Sequence, residues 1–260
     1  MPVLTVNNIS MSFGGVKAVS NVNMKIKHGE IIGLIGPNGA GKTTFFNLLT
    51  GIYNPTEGEI IYNFDKKVHP NKMKPHEIAA AGIGRTFQNI RLFSEMTVEE
   101  NVRVGFHKNI KYKAISSLFR TLSYYKEEEN ADKKVTELLK IFNLDEKREE
   151  LSKNLSYGEQ RRLEIARALA SNPKILLLDE PAAGMNPNET HELMELIRWI
   201  KDKFDITIIL IEHDMSLVMS VCNRLYVLDY GKLIANGTPE EIRHNPAVIK
   251  AYLGGEDEAC

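Results

Sequence analysis

A glycine-rich segment that ends in lysine and threonine, residues 36–43 (Gly-Pro-Asn-Gly-Ala-Gly-Lys-Thr), has the spacing of a phosphate-binding loop. An apolar run precedes it and a helix-forming run follows it, which is the context that such a loop requires. Glycines let several backbone N–H groups converge on phosphate oxygens, and the helix adds the positive end of its dipole. A glycine-rich turn that binds nothing is the much weaker alternative, because both flanking elements are present. The residues predicted to bind a nucleotide here are Gly36, Asn38, Gly39, Gly41, Lys42, Thr43 and Thr44.

Two adjacent carboxylates, Asp179 and Glu180, follow the apolar run 175–178. Parallel strands of α/β proteins place their ligands at the carboxyl ends of the strands. Asp179 can therefore hold Mg²⁺ together with the Thr43 hydroxyl, while Glu180 can polarise the water that attacks a γ-phosphate. Taken alone, the pair is as consistent with a solvated strand end, but a phosphate loop in the same chain favours the catalytic interpretation.

The elements that would position these groups follow two periodicities. Residues 22–26 alternate between apolar and polar, which indicates an antiparallel β-layer in the first third of the chain. Apolar stripes within 135–142 and 188–204 predict helices, and the sequence Thr-Pro-Glu-Glu at 238–241 predicts the start of a terminal helix. Three runs are apolar on both faces, as in a parallel sheet covered by helices: 31–35, 175–178 and 206–211.

The predicted fold class is therefore α/β, with a mainly parallel sheet core and an N-terminal antiparallel β sub-domain. A charged, helix-rich stretch interrupts the sheet pattern, and we interpret residues 90–160 as an inserted α-helical sub-domain. The whole chain, 1–260, is expected to form a single domain whose C-terminal helix and tail occupy 238–260.

Composition excludes several classes of function. The 33 Lys and Arg against 34 Asp and Glu give a net charge of −1, so nucleic acid is not an expected partner. Cys222 and Cys260 lack any metal or redox spacing and are expected to be reduced thiols. The N-terminus does not resemble a signal peptide and no apolar stretch is long enough to span a bilayer, so we expect any membrane role to depend on a partner.

The segment 155–162 (Leu-Ser-Tyr-Gly-Glu-Gln-Arg-Arg) precedes a helix-forming run, 163–170. On local chemistry alone, Ser156 is a helix N-cap and nothing more is required of it. The segment nevertheless resembles the signature of ABC proteins, in which a serine and a glycine at a helix N-terminus bind the γ-phosphate held by the opposite subunit. Ser156 and Gly158 occupy those positions, and a helix start does present free N–H groups to an anion.

Further residues match the ABC family in the order the family has them. Phe13 matches the aromatic residue that stacks on adenine, Gln88 the glutamine that links Mg²⁺ to the helical sub-domain, and His213 the switch histidine near the γ-phosphate. Taken singly, Phe13 would more often be a core residue and His213 a satisfied polar side chain. The resemblance implies a phosphate-loop ATPase of ABC type with ATP and Mg²⁺ as its cofactors. It assigns catalysis to Glu180, His213 and Gln88, and the metal to Thr43, Gln88 and Asp179.

Two departures narrow the resemblance. Asn186 stands where the family usually carries an acid in the loop after Glu180, and Tyr157 and Glu159 stand where glycine and glutamine are commonest in the signature. With the segments 84–88 and 181–184, these variants resemble the ATP-binding subunits of branched-chain amino acid importers. The lipopolysaccharide-export ATPases are the nearest competing sub-family.

The resemblance also implies partners. Two ATPase subunits, identical or different, would face head to tail around two ATP molecules. They would sit at the cytoplasmic side of the cell membrane through transmembrane permease subunits, and indirectly serve an external substrate-binding protein.

The segment 102–126 carries basic residues and no acidic one before three glutamates follow. A solvated helix face is the favoured interpretation. Our hypothesis is that part of this basic surface lies near lipid headgroups or cytosolic permease loops. The basic residues are Arg103, Lys108, Lys111, Lys113, Arg120 and Lys126.

Other function classes fit less well. A chromosome-organising or DNA-repair ABC protein needs a long heptad coiled coil between the nucleotide motifs, and a translation-factor type needs two cassettes. Neither fits 260 residues. A kinase or GTPase with a phosphate loop would lack the segment 155–160.

Overall fold

The structure, a computed structural model, describes residues 1–106 and 122–253, and the side chains of residues 1–106 and 127–252. Ten strands lie in two sheets. In chain order the strands are β1 (Pro2–Phe13), β2 (Val16–Lys27), β3 (Ile31–Ile35), β4 (Glu57–Asn63), β5 (Lys67–Val68), β6 (Ile83–Arg85), β7 (Ile175–Asp179), β8 (Thr207–Ile211), β9 (Arg224–Asp229) and β10 (Lys232–Gly237).

The larger sheet has the strand order β10-β9-β3-β8-β7-β6. Its strands from β9 to β6 run parallel, and β10 pairs antiparallel with β9 at one edge. The phosphate loop leaves β3, and the Asp179 carboxylate ends β7, with only β8 between the two strands. The parallel arrangement thus brings the two distant motifs to the same edge.

The smaller sheet is antiparallel, with the order β2-β1-β4-β5. Its register pairs Leu4 with Ile26 and Val6 with Met24 on β1 and β2, so that apolar side chains of both strands share one face. The predicted fold class, a mainly parallel core with an N-terminal antiparallel layer, is confirmed.

The described helices agree in type with the predicted ones and differ in their ends. The signature helix begins at Tyr157, directly after Ser156, the residue predicted to cap it. The predicted C-terminal helix is two short helices separated by a turn at His244 and Asn245. The α-helices are α1 (Lys42–Leu49), α2 (Pro75–Ala81), α3 (Val98–Phe106), α4 (Leu122–Ile141), α5 (Tyr157–Ala170), α6 (Pro187–Lys203), α7 (Met215–Val221), α8 (Pro239–Arg243) and α9 (Pro246–Leu253).

Two hydrophobic cores lie on opposite faces of the parallel sheet. Alternate residues of β3 enter different cores: Ile32 and Leu34 pack with α1 and the antiparallel sheet, whereas Ile31 and Ile35 pack with the helical side. Burial on both faces explains why the strand sequences are apolar throughout.

Residues 90–160 contain α3, α4 and the start of α5, and α3 packs against both of the other helices. The division of the chain into sub-domains at 90–160 and 238–260 stays a prediction. Within the described part of the chain, no helix is long and apolar enough to cross a membrane.

Most of the predicted basic surface lies outside the described residues, namely Lys108, Lys111, Lys113 and Arg120; so do the Lys126 side chain and Cys260. Arg103 is described, and its guanidinium binds three carboxylates of this chain: Glu99, Glu128 and Asp132. Its charge is therefore balanced within the protein. Burial raises the pKa of the Cys222 thiol to about 12, which makes it a poor nucleophile.

Candidate ATP-hydrolysis site

The phosphate loop is shaped by glycines at points where the chain has no room for a side chain. Gly36 has φ 149°, and a Cβ atom there would lie 2.0 Å from the carbonyl oxygen of Leu228 on β9. Gly41 has φ 96°, and its Cβ would lie 2.5 Å from the Ala18 carbonyl oxygen. The backbones of β9 and β2 thus leave no room for a side chain at either position, and only glycine fits the loop there.

Lys42 is buried at the first position of α1, with its ammonium against the loop backbone. Nζ donates to the carbonyl oxygens of Gly36 at 2.7 Å and Pro37 at 2.9 Å. Burial lowers the pKa of Lys42, and the negative charges of Glu180 and Asp179 oppose that effect. The structure thus places Lys42 in the electrostatic field of both predicted carboxylates.

Asp179 is 2% exposed and is held by an arginine that sequence reasoning did not select. Arg85 Nη2 donates to Asp179 Oδ2 at 3.1 Å, and Arg85 Nη1 donates to Asn47 and Thr50 at the end of α1. Burial raises the pKa of Asp179, and Arg85 offsets part of the rise. Arg85 therefore connects the helix that follows the phosphate loop to the second motif.

The other carboxylate oxygen, Asp179 Oδ1, is buried and has no hydrogen-bond partner in the described protein. An orphaned carboxylate oxygen suits a divalent cation, because Mg²⁺ takes one or two carboxylates together with phosphate and water oxygens. The described residues include no group of three or more His, Cys, Asp or Glu that could hold a metal by themselves. The donor set thus fits a metal that arrives with a nucleotide.

Glu180 lies between the other two predicted catalytic residues. Gln88 Nε2 donates to Glu180 Oε2 at 3.0 Å, and His213 Nε2 lies 2.5 Å from Glu180 Oε1. The Glu180 backbone has φ 48°, a left-handed conformation that is uncommon for a residue with a side chain. The structure brings Gln88, Glu180 and His213 together as predicted, although their roles stay predictions.

A further buried carboxylate, Glu212, organises the loops around this group. Oε1 accepts from Ala182 N at 3.0 Å and Oε2 from His213 N at 3.3 Å. Burial raises the pKa of Glu212, and these two N–H groups oppose the rise. Glu212 thus joins the loop after Glu180 to the loop that carries His213.

The remaining predicted contacts are exposed. Phe13 is 42% exposed at the end of β1 and packs edge to face on Tyr53, with 5.1 Å between ring centroids. Asn38, Gly39 and Thr43 are exposed on the loop, and Thr44 is half-buried. All four are accessible to a ligand.

The signature residues lie against a different loop. Ser156 Oγ accepts from Glu159 N at 3.4 Å, so Ser156 caps α5 as predicted. A methyl group added to Gly158 would lie 3.6 Å from Glu189 at the start of α6. Among the described residues, no hydrogen bond joins Ser156 or Gly158 to the phosphate loop.

Asn186 caps α6, where its Oδ1 accepts from the N–H groups of Asn188 and Glu189, each at 3.0 Å. This cap explains how an amide can replace an acid at this position, because Asn and Asp are about equally good N-caps.

Comparison with known proteins decides the family. The ABC transporter family model matches residues 19–183, which include both nucleotide motifs and the signature. The chain belongs to the ABC transporter family. This cassette also matches, over residues 232–258, a model described as branched-chain amino acid ATP-binding cassette transporter. The phosphate-loop fold of ABC type and the ATPase activity predicted from the motifs are thereby confirmed.

Curated relatives and solved structures agree with this assignment. The cassette is 50% identical over 97% of its length, and 98% of the relative's, to the high-affinity branched-chain amino acid transport ATP-binding protein LivG of Escherichia coli K12. It is 35% identical to the lipopolysaccharide export ATP-binding protein LptB of Haemophilus influenzae, over 98% of each chain. The ADP conformation of MJ1267, an ATP-binding cassette of an ABC transporter, matches with a TM-score of 0.82 and 33% identity over 98% of this chain and 99% of that one. The dimeric cassette MJ0796 matches with a TM-score of 0.76 and 27% identity over 91% and 98%.

The sequence analysis did not identify four charged residues whose hydrogen bonds hold the site residues and their loops in place: Arg85, Glu212, Arg161 and Glu164. The last two are 0% and 1% exposed on α5. Their only signal was position, since each lies within a few residues of a motif.

Proposed function

We propose that this cassette hydrolyses Mg²⁺-bound ATP at the edge formed by Lys42, Asp179 and Glu180, and that hydrolysis drives the import of branched-chain amino acids. The arrangement that carries the proposal is Glu180 held between Gln88 and His213, beside a buried aspartate with one free oxygen.

The groups of this arrangement divide the tasks of hydrolysis, and Gln88 has two of them. Gln88 and His213 fix both oxygens of Glu180, so the carboxylate is preorganised to orient a water molecule and accept its proton. Lys42 and the loop N–H groups bind the β- and γ-phosphates, and Phe13 provides a flat surface for adenine. Thr43, Gln88 and Asp179 would hold Mg²⁺, which neutralises phosphate charge when it is bound.

A second ATPase subunit completes the site. Ser156 is exposed and Gly158 is half-buried at a helix start, where free N–H groups favour an anion, and among the described residues no hydrogen bond joins either of them to this chain's own phosphate loop. The signature of one subunit therefore faces the γ-phosphate of the other. MJ0796, a cassette of similar fold, is dimeric.

The transport substrate follows from the relatives. LivG, at 50% identity, is described as a branched-chain amino acid transport protein, whereas the lipopolysaccharide-export relative is 35% identical. Segment 232–258 supports the same choice; its helix α9 faces residues 37–40 across a cavity of about 620 Å³. The membrane partners are permease subunits at the cytoplasmic face, served by an external binding protein.

The experiment that tests the substrate uses the complete transporter, reconstituted with its permease and external binding protein. ATP hydrolysis should rise when leucine, isoleucine or valine is presented outside, and a charged amino acid such as lysine should leave it unchanged. Stimulation by a lipopolysaccharide instead would favour an exporter and contradict the proposal.

A further inference from the structure

In the proposed dimer each chain serves two ATP sites at once: Gln88 and Glu180 act on its own nucleotide, while Ser156 and Gly158 act on its partner's. Within one chain, the fold therefore sets the position of the pair Gln88 and Glu180 relative to the pair Ser156 and Gly158. A buried ion pair on α5 connects them, and nothing in the proposed hydrolysis uses it.

Arg161 is four residues after Tyr157 on α5 and is 0% exposed. Nη1 donates to the carbonyl oxygen of Phe87 at 2.6 Å, and Nη2 donates to that of Gln88 at 2.7 Å. One guanidinium thus holds two consecutive backbone carbonyls of the segment that carries Gln88. Together with the two contacts described next, this uses four N–H groups on two nitrogens, whereas an ammonium group has three N–H groups on one nitrogen.

The guanidinium is fixed from the helix side as well. Glu164, one turn later and 1% exposed, accepts from Arg161 Nη1 at 3.0 Å, and its other oxygen accepts from Arg91 N at 3.2 Å. The Tyr157 hydroxyl accepts from Arg161 Nη2 at 3.2 Å. Four N–H groups of Arg161 are engaged and only Nε has no partner, so the side chain cannot change its direction without breaking several buried hydrogen bonds.

The connection continues at both ends. Gln88 reaches Glu180 through its side chain, as described above. At the other end the Tyr157 ring packs on the loop after Glu180, where a Cβ atom added to Gly184 would lie 3.0 Å from it. The start of α5, with Ser156 and Gly158, is therefore connected to the Gln88 segment by closely packed side chains, so that a shift of the segment shifts the start of the helix.

We propose that Arg161, held by Glu164, is a positioning residue that couples the two ATP sites: a displacement of Gln88 at one site moves the signature presented to the other. The proposal rests on the proposed function, because it assumes that Gln88 responds to nucleotide and that the signature serves the partner's ATP. A guanidinium with a merely structural role would contribute to stability but transmit nothing.

The test compares hydrogen exchange in the full-length protein with and without Mg²⁺-ATP. The first variant is Arg161→Met with Glu164→Gln, a neutral pair of similar volume that leaves no buried charge unpaired. The second is Arg161→Lys, which keeps the charge beside Glu164 but has three N–H groups on one nitrogen and cannot reproduce the four contacts of Arg161. The control is Arg162→Met, because Arg162 lies on the same turn and pairs only with Glu192, which is 66% exposed.

In the wild type and the control, Mg²⁺-ATP should slow hydrogen exchange in peptides covering 36–44. It should also change the exchange rate of peptides covering 155–165 by about 10-fold, a typical magnitude for coupling between two sites. In both Arg161 variants the effect at 36–44 should remain and the effect at 155–165 should be lost. In the assembled transporter, the Hill coefficient for ATP hydrolysis should fall to about 1 in these variants.

Different outcomes overturn different statements. If 155–165 still responds to ATP in either folded variant, Arg161 does not couple the sites. If the wild type shows no protection at 36–44, ATP binding itself is refuted, and the coupling falls with it.

Discussion

The phosphate edge and the signature end of this cassette are built in opposite ways. At the phosphate edge, Lys42 and Asp179 are buried, and each is fixed by hydrogen bonds from the surrounding fold. At the signature end, Ser156 is exposed and its side chain contacts only Glu159 of its own helix.

This difference in burial determines which of the two ends can function in a single chain. Buried, preorganised charges interact strongly because they are shielded from water, so the phosphate edge can bind a nucleotide within one chain. An exposed helix start binds an anion weakly unless a second surface excludes water from it. In the proposed function the signature end would therefore bind a nucleotide only in a closed dimer, and four substitutions test this contrast.

The largest effect is expected at the phosphate edge from Glu180→Gln. The amide cannot accept the proton of the attacking water, so kcat should fall about 1000-fold, within the range for a general base, while ATP still binds. The variant should accumulate as an ATP-bound dimer, seen by size-exclusion chromatography with Mg²⁺-ATP. Glu240→Gln, at an exposed position on α8, is the control. Normal turnover in Glu180→Gln would exclude this carboxylate as the base.

Arg85→Met should cost about 3 kcal/mol of unfolding free energy, because it leaves Asp179 buried without its partner. Burial already raises the pKa of Asp179, and losing Arg85 raises it further. A carboxyl group whose pKa is higher in the folded than in the unfolded protein contributes to stability while it is protonated, which holds fully below its ordinary pKa. That contribution is lost as the pH rises through the pKa of the folded protein. The deficit in urea unfolding should therefore be larger at pH 8 than at pH 4. Lys133→Met, which breaks an exposed ion pair with Glu129, should leave the midpoint of urea unfolding unchanged at both pH values.

Ser156→Ala tests the signature end. Loss of the N-cap should cost about 1 kcal/mol of stability. ATP affinity of the single chain, measured by calorimetry, should stay unchanged, whereas ATP-dependent dimerisation should weaken. Weaker binding of ATP to the monomer would mean that the two ends are not separate, and the contrast would fail.

Asn186→Asp should have the smallest effect. Asp caps a helix as well as Asn does, and its charge interacts favourably with the helix N-terminus, so α6 should gain about 0.5 kcal/mol. Thermal unfolding measures the gain, and Asn186→Ala, which removes the cap, should show the opposite sign.

The sequence predicted what depends on local pattern. The strand before the phosphate loop is apolar on both faces, and the loop itself has a spacing that few other structures use, so β3 and residues 36–43 were located correctly. Asp179 and Glu180 were found because they end such a strand. The fold class followed from the same periodicities.

What depends on tertiary burial was not predictable. Arg85, Arg161, Glu164 and Glu212 are charged, and charged residues are ordinarily exposed, so nothing local marks them as internal. Arg161 and Arg162 are adjacent arginines, yet their contacts differ. Arg161 donates to the backbone carbonyls of Phe87 and Gln88, whereas Arg162 pairs with Glu192.

The left-handed backbone of Glu180 has a consequence for how this protein can change over generations. A residue with a Cβ atom at φ 48° carries about 1 kcal/mol of strain that glycine or asparagine would largely relieve. Substitution of Glu180 by either should make the protein more stable and catalytically inactive. Selection for thermal resistance alone would therefore remove the carboxylate to which we assign the general-base role, and only selection for transport would retain it.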